Sequence, residues 1–311
     1  METTSRNKTL TLHDDEKSFS EEYVISVTKN TRRTDIENKI VCQSVFDTLD
    51  FLPNNFINLV FADPPYNIDK KFNDVVFKKM DIQSYEAYTE AWVSKLKSKL
   101  THDASLYVCG DWRSSPALHT VLSRHFIVRN RITFEREKGR GAKTNYKNCS
   151  EDIFFCTNSN TYTFNVETVK LRKKVIAPYR ENGKPKDWKH GFDGTSYRDT
   201  FPSNIWTDIT IPFWSMKENT EHPTQKPEKL LAKILLASSN ENDLVFDPFL
   251  GSGTTSVVAE KLNRRHVGIE IDRHYCLIAQ KRLRQAKEDK RIQGYTDGVF
   301  WERNAGNNIK Q

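Results

Sequence analysis

Apolar positions along the chain fall in short runs rich in β-branched and aromatic residues. The run Phe56-Ile57-Asn58-Leu59-Val60-Phe61-Ala62 reads as a buried strand. Runs at 39–42, 105–110, 126–134, 152–156, 244–247 and 266–272 read the same way. Between them the period lengthens. Tyr88, Trp92, Leu96 and Leu100 follow helical spacing and predict a helix over 85–100. Shorter helices are expected at 46–52 and 115–123. Another follows Pro227, where Leu230, Leu231, Ile234, Leu235 and Ala237 form an apolar stripe, and a last one covers 275–287. Alternation of strands and helices argues an α/β fold, its mostly parallel sheet covered on both faces.

Four stretches break this rhythm. Residues 1–35 are polar and read as a loosely held arm; the alternation over 23–28 offers a strand as the alternative. Residues 67–82 form a polar connection suited to a mobile loop beside a site. Helical periodicity disappears over 157–221, and 291–311 reads only as a tail docked on the rest.

Charge sharpens the picture. The chain has 311 residues and a net charge of +7, as suits a protein that meets a polyanion. Between Arg129 and His190 lie 15 Lys plus Arg and 7 Asp plus Glu, so this region accounts for the basic balance. Its cations include Arg136, Lys138, Arg140, Lys143, Lys147, Arg172, Lys173 and Lys174, interleaved with Tyr146, Tyr162, Phe164, Tyr179, Trp188 and Phe192. That mixture is the footprint of a nucleic-acid surface, with cations for phosphate and aromatics for bases. No apolar run approaches the roughly 18 residues of a membrane span, and the N-terminus lacks an apolar signal core. A cytoplasmic protein is expected. The five cysteines (42, 109, 149, 156 and 276) are scattered, which predicts reduced thiols, no disulfide frame and no metal site.

The chemistry sits at two strand ends. Pro64 and Pro65 stop the first strand and hold Asp63 and Tyr66 at its carboxyl end, where open α/β sheets bind ligands. Asp63 and the Pro64 carbonyl can each accept from an amine, and Tyr66 offers a face for a planar ring. In the second half, Asp247-Pro248-Phe249-Leu250-Gly251-Ser252-Gly253-Thr254 is a strand end, a tight glycine turn and a helix start. Glu270 follows 23 positions after Asp247, at the tip of the next strand, where α/β folds hold ribose hydroxyls. The turn lacks the third glycine of a dinucleotide fingerprint and the Lys of a phosphate loop. Asp247 would repel a pyrophosphate and welcome an ammonium, so a nucleoside carrying an amino acid fits better.

Asp63-Pro64-Pro65-Tyr66, His222-Pro223-Thr224-Gln225-Lys226-Pro227 and the Asp247–Thr255 segment together resemble the S-adenosyl-L-methionine-dependent DNA amino-methyltransferases. Their order is that of the circularly permuted beta class, and the resemblance spans about residues 36–287. It implies a Rossmann-like seven-stranded sheet with one antiparallel strand, drawn from 126–156, and an inserted target-recognition region. The implied division is an arm (1–35), a catalytic half (36–156), a recognition region (157–221), a cofactor half (222–290) and a tail (291–311).

By resemblance, Asp63, Pro64, Pro65 and Tyr66 are catalytic, with Asp63 also beside the cofactor. Asp247 would hold the methionine ammonium, Pro248 and the Phe249–Gly253 backbone with Thr254 would line the methionine, and Glu270 would hold the ribose. Thr224, Gln225 and Lys226 would meet the carboxylate. Family members often carry Gly-Asp-Cys where this chain has Cys42-Gln43-Ser44, so Gln43 and Ser44 stand near the cofactor adenine. Phe154 or Phe155 would either stack opposite Tyr66 or pack in the core. The implied reaction is methylation of adenine N6 in duplex DNA, with the base flipped out and no metal. Cytosine N4 is the alternative, and Asp63 favours adenine because cytosine members tend to carry Ser there. RNA or protein amine methylation, a silent DNA-binding subunit and a nicotinamide oxidoreductase fit the motifs less well. A homodimer and a cognate restriction endonuclease are expected partners, and no membrane.

Overall fold

A computed structural model of the chain describes residues 6–12, 23–72, 75–136, 143–175, 179–190 and 196–303. The main sheet is built from β1 (Val24–Ile25), β2 (Lys39–Cys42), β3 (Ile57–Ala62), β4 (Leu100–Gly110), β5 (Ile127–Glu135), β6 (Ser150–Thr157), β10 (Ile205–Trp206), β11 (Leu244–Asp247) and β12 (Arg265–Glu270). A second sheet uses β7 (Leu171–Lys174), β8 (Lys189–His190), β9 (Ser196–Thr200), β13 (Tyr295–Thr296) and β14 (Val299–Trp301). The principal helices are α1 (Ile82–Leu96), α2 (Ser115–His125), α3 (Glu228–Ser238), α4 (Thr254–Lys261) and α5 (Arg273–Glu288).

Among the described residues the main sheet has nine strands in the order β1-β2-β12-β11-β3-β4-β6-β5-β10. This corrects the expectation of seven. The two additions, β1 and β10, are two-residue strands at the edges. Only β6 runs against its neighbours, antiparallel to both β4 and β5.

The central strands are apolar on both faces, and their alternation sorts the core. Val60, Ala62, Leu106, Val108, Leu244 and Phe246 face one cluster, which Trp92 and Leu96 of α1 and Leu118 and Val121 of α2 complete. Leu59, Phe61, Tyr107, Cys109 and Val245 face the other, against Leu231, Ile234 and Leu235 of α3. A strand buried on both faces needs no polar alternation, which is why these runs are continuously hydrophobic.

Three segments are more structured than their composition predicts. The described parts of the arm are tied to the rest of the molecule. β1 pairs in parallel with β2, Tyr23 and Val24 are buried against Ile40 and Leu283, and Leu10 bridges to Thr220. The tail supplies β13 and β14, and β14 pairs in parallel with β7 of the basic region. Lys229 of α3 clamps the two together, donating to the carbonyls of Asp208 at 2.7 Å and Trp301 at 2.5 Å. The expected mobile loop contains a short antiparallel ribbon, Lys70–Phe72 against Val75–Phe77.

Candidate active site

Because β2, β3, β11 and β12 run in parallel, their carboxyl ends open on one edge, and the segments that follow them line one cleft of about 360 Å³. Gln43 and Ser44 follow β2, Asp63 to Tyr66 follow β3, Pro248 to Ser252 follow β11, and Glu270 ends β12. Thr224, Gln225 and Lys226 enter from the loop before α3, and Thr254 from the start of α4. Thus the three motifs meet, although 163 positions separate Asp63 from Lys226. Gly253 does not line the cleft. It makes the turn, with φ +86°, and sits so close to α5 that an added Cβ would lie 2.5 Å from the Ala279 Cβ.

His222 joins two of the motifs. It is half-buried and packs against Tyr275, ring centroids 4.4 Å apart, and a Cβ on Gly251 would lie 3.0 Å from its Nε2. Burial, with Lys226 adding to it, pushes its pKa down to about 3, so the ring is neutral.

The cofactor end is acidic. Asp247 is 3% exposed and accepts from Thr255 Oγ1 at 2.5 Å and from the Phe249 amide at 2.9 Å. No cation among the described residues pairs with it, and burial raises its pKa to about 7. Glu270 accepts from the Gly251 amide at 2.7 Å and the Asp272 amide at 2.8 Å, and burial likewise raises it to about 7. A buried carboxylate short of a cation suits an ammonium, and one fixed by two amides keeps lone pairs for a diol. The acids present therefore fit a nucleoside that carries an amino acid.

The end of the cleft at β3 is a closed charge cluster. Asp63 Oδ1 accepts from the Tyr66 hydroxyl at 2.9 Å, and Oδ2 from Lys226 Nζ at 2.5 Å. Glu151, at the start of β6, lies behind both: its Oε2 is 3.2 Å from the Tyr66 hydroxyl and 3.4 Å from Nζ. Its Oε1 pairs with Arg136. Burial, then the charges of Asp63 and Glu151, raise the Tyr66 pKa well above 10, so the phenol stays protonated.

The structure departs from sequence expectation at several residues. Lys226 sits on Asp63 rather than standing clear for a carboxylate. Gln225 is committed to its own loop, accepting from Thr220 and donating to the Glu218 carbonyl. Gln43 clamps the arm, accepting from the Val27 amide at 2.6 Å and donating to its carbonyl at 3.1 Å. Ser44 Oγ caps the helix Val45–Thr48. Neither Phe154 nor Phe155 lines the cleft; both are buried in the core, and Phe155 stacks on Tyr107 at 4.7 Å.

Among the expected nucleic-acid cations, Arg136 lines the cleft, and Arg172 is held by Asp199 in two 2.7 Å bonds. Lys143, Lys147 and Lys174 are exposed and Lys173 is partly so. Lys138 and Arg140 lie outside the described residues. Glu151 escaped sequence reading altogether, for nothing local marks it; only the reversed direction of β6 brings its start to the cleft.

A family model described as "DNA methylase" matches residues 57–281, which span both strand-end motifs. The chain belongs to the N6/N4 DNA methylase family. Among curated proteins, this methylase is 32% identical over 239 residues to the DNA adenine methyltransferase YhdJ of Escherichia coli, covering 75% of this chain and 78% of that protein. It is 32% identical over 264 residues to the type II methyltransferase M1.MboII of Moraxella bovis, covering 80% and 97%. Two solved structures share its fold. The M1.HpyAVI–SAM complex has a TM-score of 0.54 at 22% identity, covering 78% of this chain and 98% of that one. The cytosine-N4-specific PvuII DNA methyltransferase has a TM-score of 0.59 at 16% identity, covering 83% and 87%.

Proposed function

We propose that this methylase moves a methyl group from S-adenosyl-L-methionine to N6 of an adenine flipped out of duplex DNA. One observation carries the reading: a carboxylate at a proline-stopped strand end, flanked by a tyrosine, shares a cleft with a buried, cation-free Asp247. When bound, the cofactor supplies a methyl group on a sulfonium. Asp247 takes its ammonium, Glu270 its ribose, and the Gly251–Gly253 turn lets the backbone approach. Thr224, Gln225 and Lys226, with Gln43 and Ser44, close the walls.

Asp63 and the Pro64 carbonyl accept from the target amine. Its lone pair, otherwise delocalised into the ring, is then turned toward the methyl, so catalysis is positioning and charge stabilisation. Tyr66 fixes the ring plane and Pro65 the turn. Flipping costs a few kcal/mol, which phosphate contacts from Lys138, Arg140, Lys143, Lys147, Lys173 and Lys174 offset, while Arg136 stays on Glu151 and Arg172 on Asp199. The same reading takes the motif order as the permuted arrangement and 157–221 as a target-recognition region. A cytoplasmic setting, a homodimer and a cognate restriction endonuclease belong to it.

Cytosine N4 is the second reading, and the PvuII likeness favours it in fold alone. Asp63 and the resemblance to YhdJ favour adenine. Incubation with methyl-labelled cofactor and unmethylated genomic DNA, then mass analysis of nucleosides, separates the two. N6-methyladenine is expected; N4-methylcytosine alone would overturn the assignment.

A further inference from the structure

The charge cluster presents a difficulty for the incoming amine. Both oxygens of Asp63 are already engaged, Oδ1 by Tyr66 and Oδ2 by Lys226. The remaining lone pairs of Asp63 can still accept from an amine, but only beside the Lys226 ammonium, so the carboxylate serves the amine best once that ammonium moves away. Lys226 cannot be expelled to water, because it is buried and its charge would be stranded. It needs a second anion within reach. Glu151 is that anion: its Oε2 is 3.4 Å from Nζ, and it is itself 4% exposed. Arg136 occupies the other oxygen of Glu151, which leaves Oε2 aimed at Lys226 and Tyr66.

We propose that Glu151 is a positioning residue that takes the Lys226 ammonium, and with it the Tyr66 hydroxyl, from Asp63 when the target amine arrives. The inference rests on the amino-methyltransferase reading of the site. The movement is short, since Nζ already lies between the two carboxylates. Its electrostatic effect is large, because nitrogen becomes positive as it accepts the methyl. An ammonium left on Asp63 would oppose that charge, whereas one drawn to Glu151 leaves Asp63 free to stabilise it. Within these four groups the charges balance throughout, Asp63 and Glu151 against Lys226 and Arg136, with Lys70 also facing the cluster. Burial works against the ionised form of Glu151, but Lys226 and Arg136 outweigh it and lower its pKa, so the acceptor stands ready.

The test is single-turnover methyl transfer to unmethylated genomic DNA, with cofactor affinity measured separately by calorimetry. Glu151→Gln keeps the shape and removes the charge, leaving Asp63 as the only anion for Lys226. The rate should fall roughly tenfold or more while cofactor affinity holds within about twofold. The double variant Glu151→Gln/Lys226→Met should be several times faster than Glu151→Gln alone, because no ammonium then sits on Asp63. A merely structural Glu151 would give no such rescue. A wild-type rate in Glu151→Gln, or a double variant no faster than the single, overturns the proposal.

Should Glu151→Gln fail to fold, a crystal structure of the wild-type protein with S-adenosylhomocysteine and adenosine decides. Nζ should lie on Glu151 when an amine occupies Asp63, and Nζ still bridging to Asp63 would refute the transfer. Absence of any methyl transfer by the wild-type protein counts instead against the parent reading.

Discussion

In the proposed reaction Asp63 receives the amine because a strand end and two prolines aim it, so its role can be tested one residue at a time. Asp63→Ala should lower the methyl-transfer rate by at least about 100-fold while cofactor affinity changes little. Turnover close to normal would show that another group holds the amine. Asp247 and Glu270 make a pH prediction. Burial raises both to about 7, well above a carboxylate in an unfolded chain. A raised acid favours the folded state fully below its unfolded pKa and loses that contribution as pH climbs through the folded one. Their share of the unliganded protein's stability therefore declines from about pH 4 to about pH 7. Cofactor affinity should move the other way, rising between pH 6 and 8 as Asp247 ionises to meet the ammonium; a flat calorimetric profile would show that Asp247 does not hold it.

At the scale of the element, runs and stripes located the main strands and helices within a few residues. The largest differences lie in length. β4 begins at Leu100, five residues before the expected 105, because Leu100 pairs with Ile57 of β3 ahead of an irregularity, after which the register resumes at Ser105 and Leu59. The glycine turn shows local sequence and packing agreeing. Gly253 needs its left-handed φ, and α5 leaves no room for a side chain. Gly253→Ala should cost about 2 kcal/mol or more, seen as a lower Tm, and should weaken cofactor binding by displacing the start of α4. An unchanged Tm would mean that α5 yields easily.

Across the whole molecule, the tail and the basic region form one sheet, and α3 holds both through Lys229. Ending the chain at residue 290 removes β13 and β14 and one acceptor of Lys229. Limited proteolysis should then cut 157–206 faster, and DNA affinity should fall while cofactor affinity persists. Equal protease resistance would show that the tail is dispensable to the region. Lys143, Lys147, Lys173 and Lys174 belong to the same scale. Replacing all four with alanine should flatten the dependence of DNA affinity on salt, by about 0.9 in log–log slope for each phosphate that is no longer neutralised. An unaltered slope would move the DNA elsewhere on the surface.

The sequence by itself determined the α/β class, the strand-end positions of Asp63 and Asp247, and the glycine turn, because each depends on neighbours within a few residues. Prolines stop a strand and glycines permit a turn whatever lies across the molecule. Tertiary structure alone decided that Lys226 caps Asp63, that Gln43 serves the arm, and that Glu151 stands behind the site. Those pairings span 16 to 163 positions. A side chain's partner there is set by strand order and direction, which no local pattern encodes.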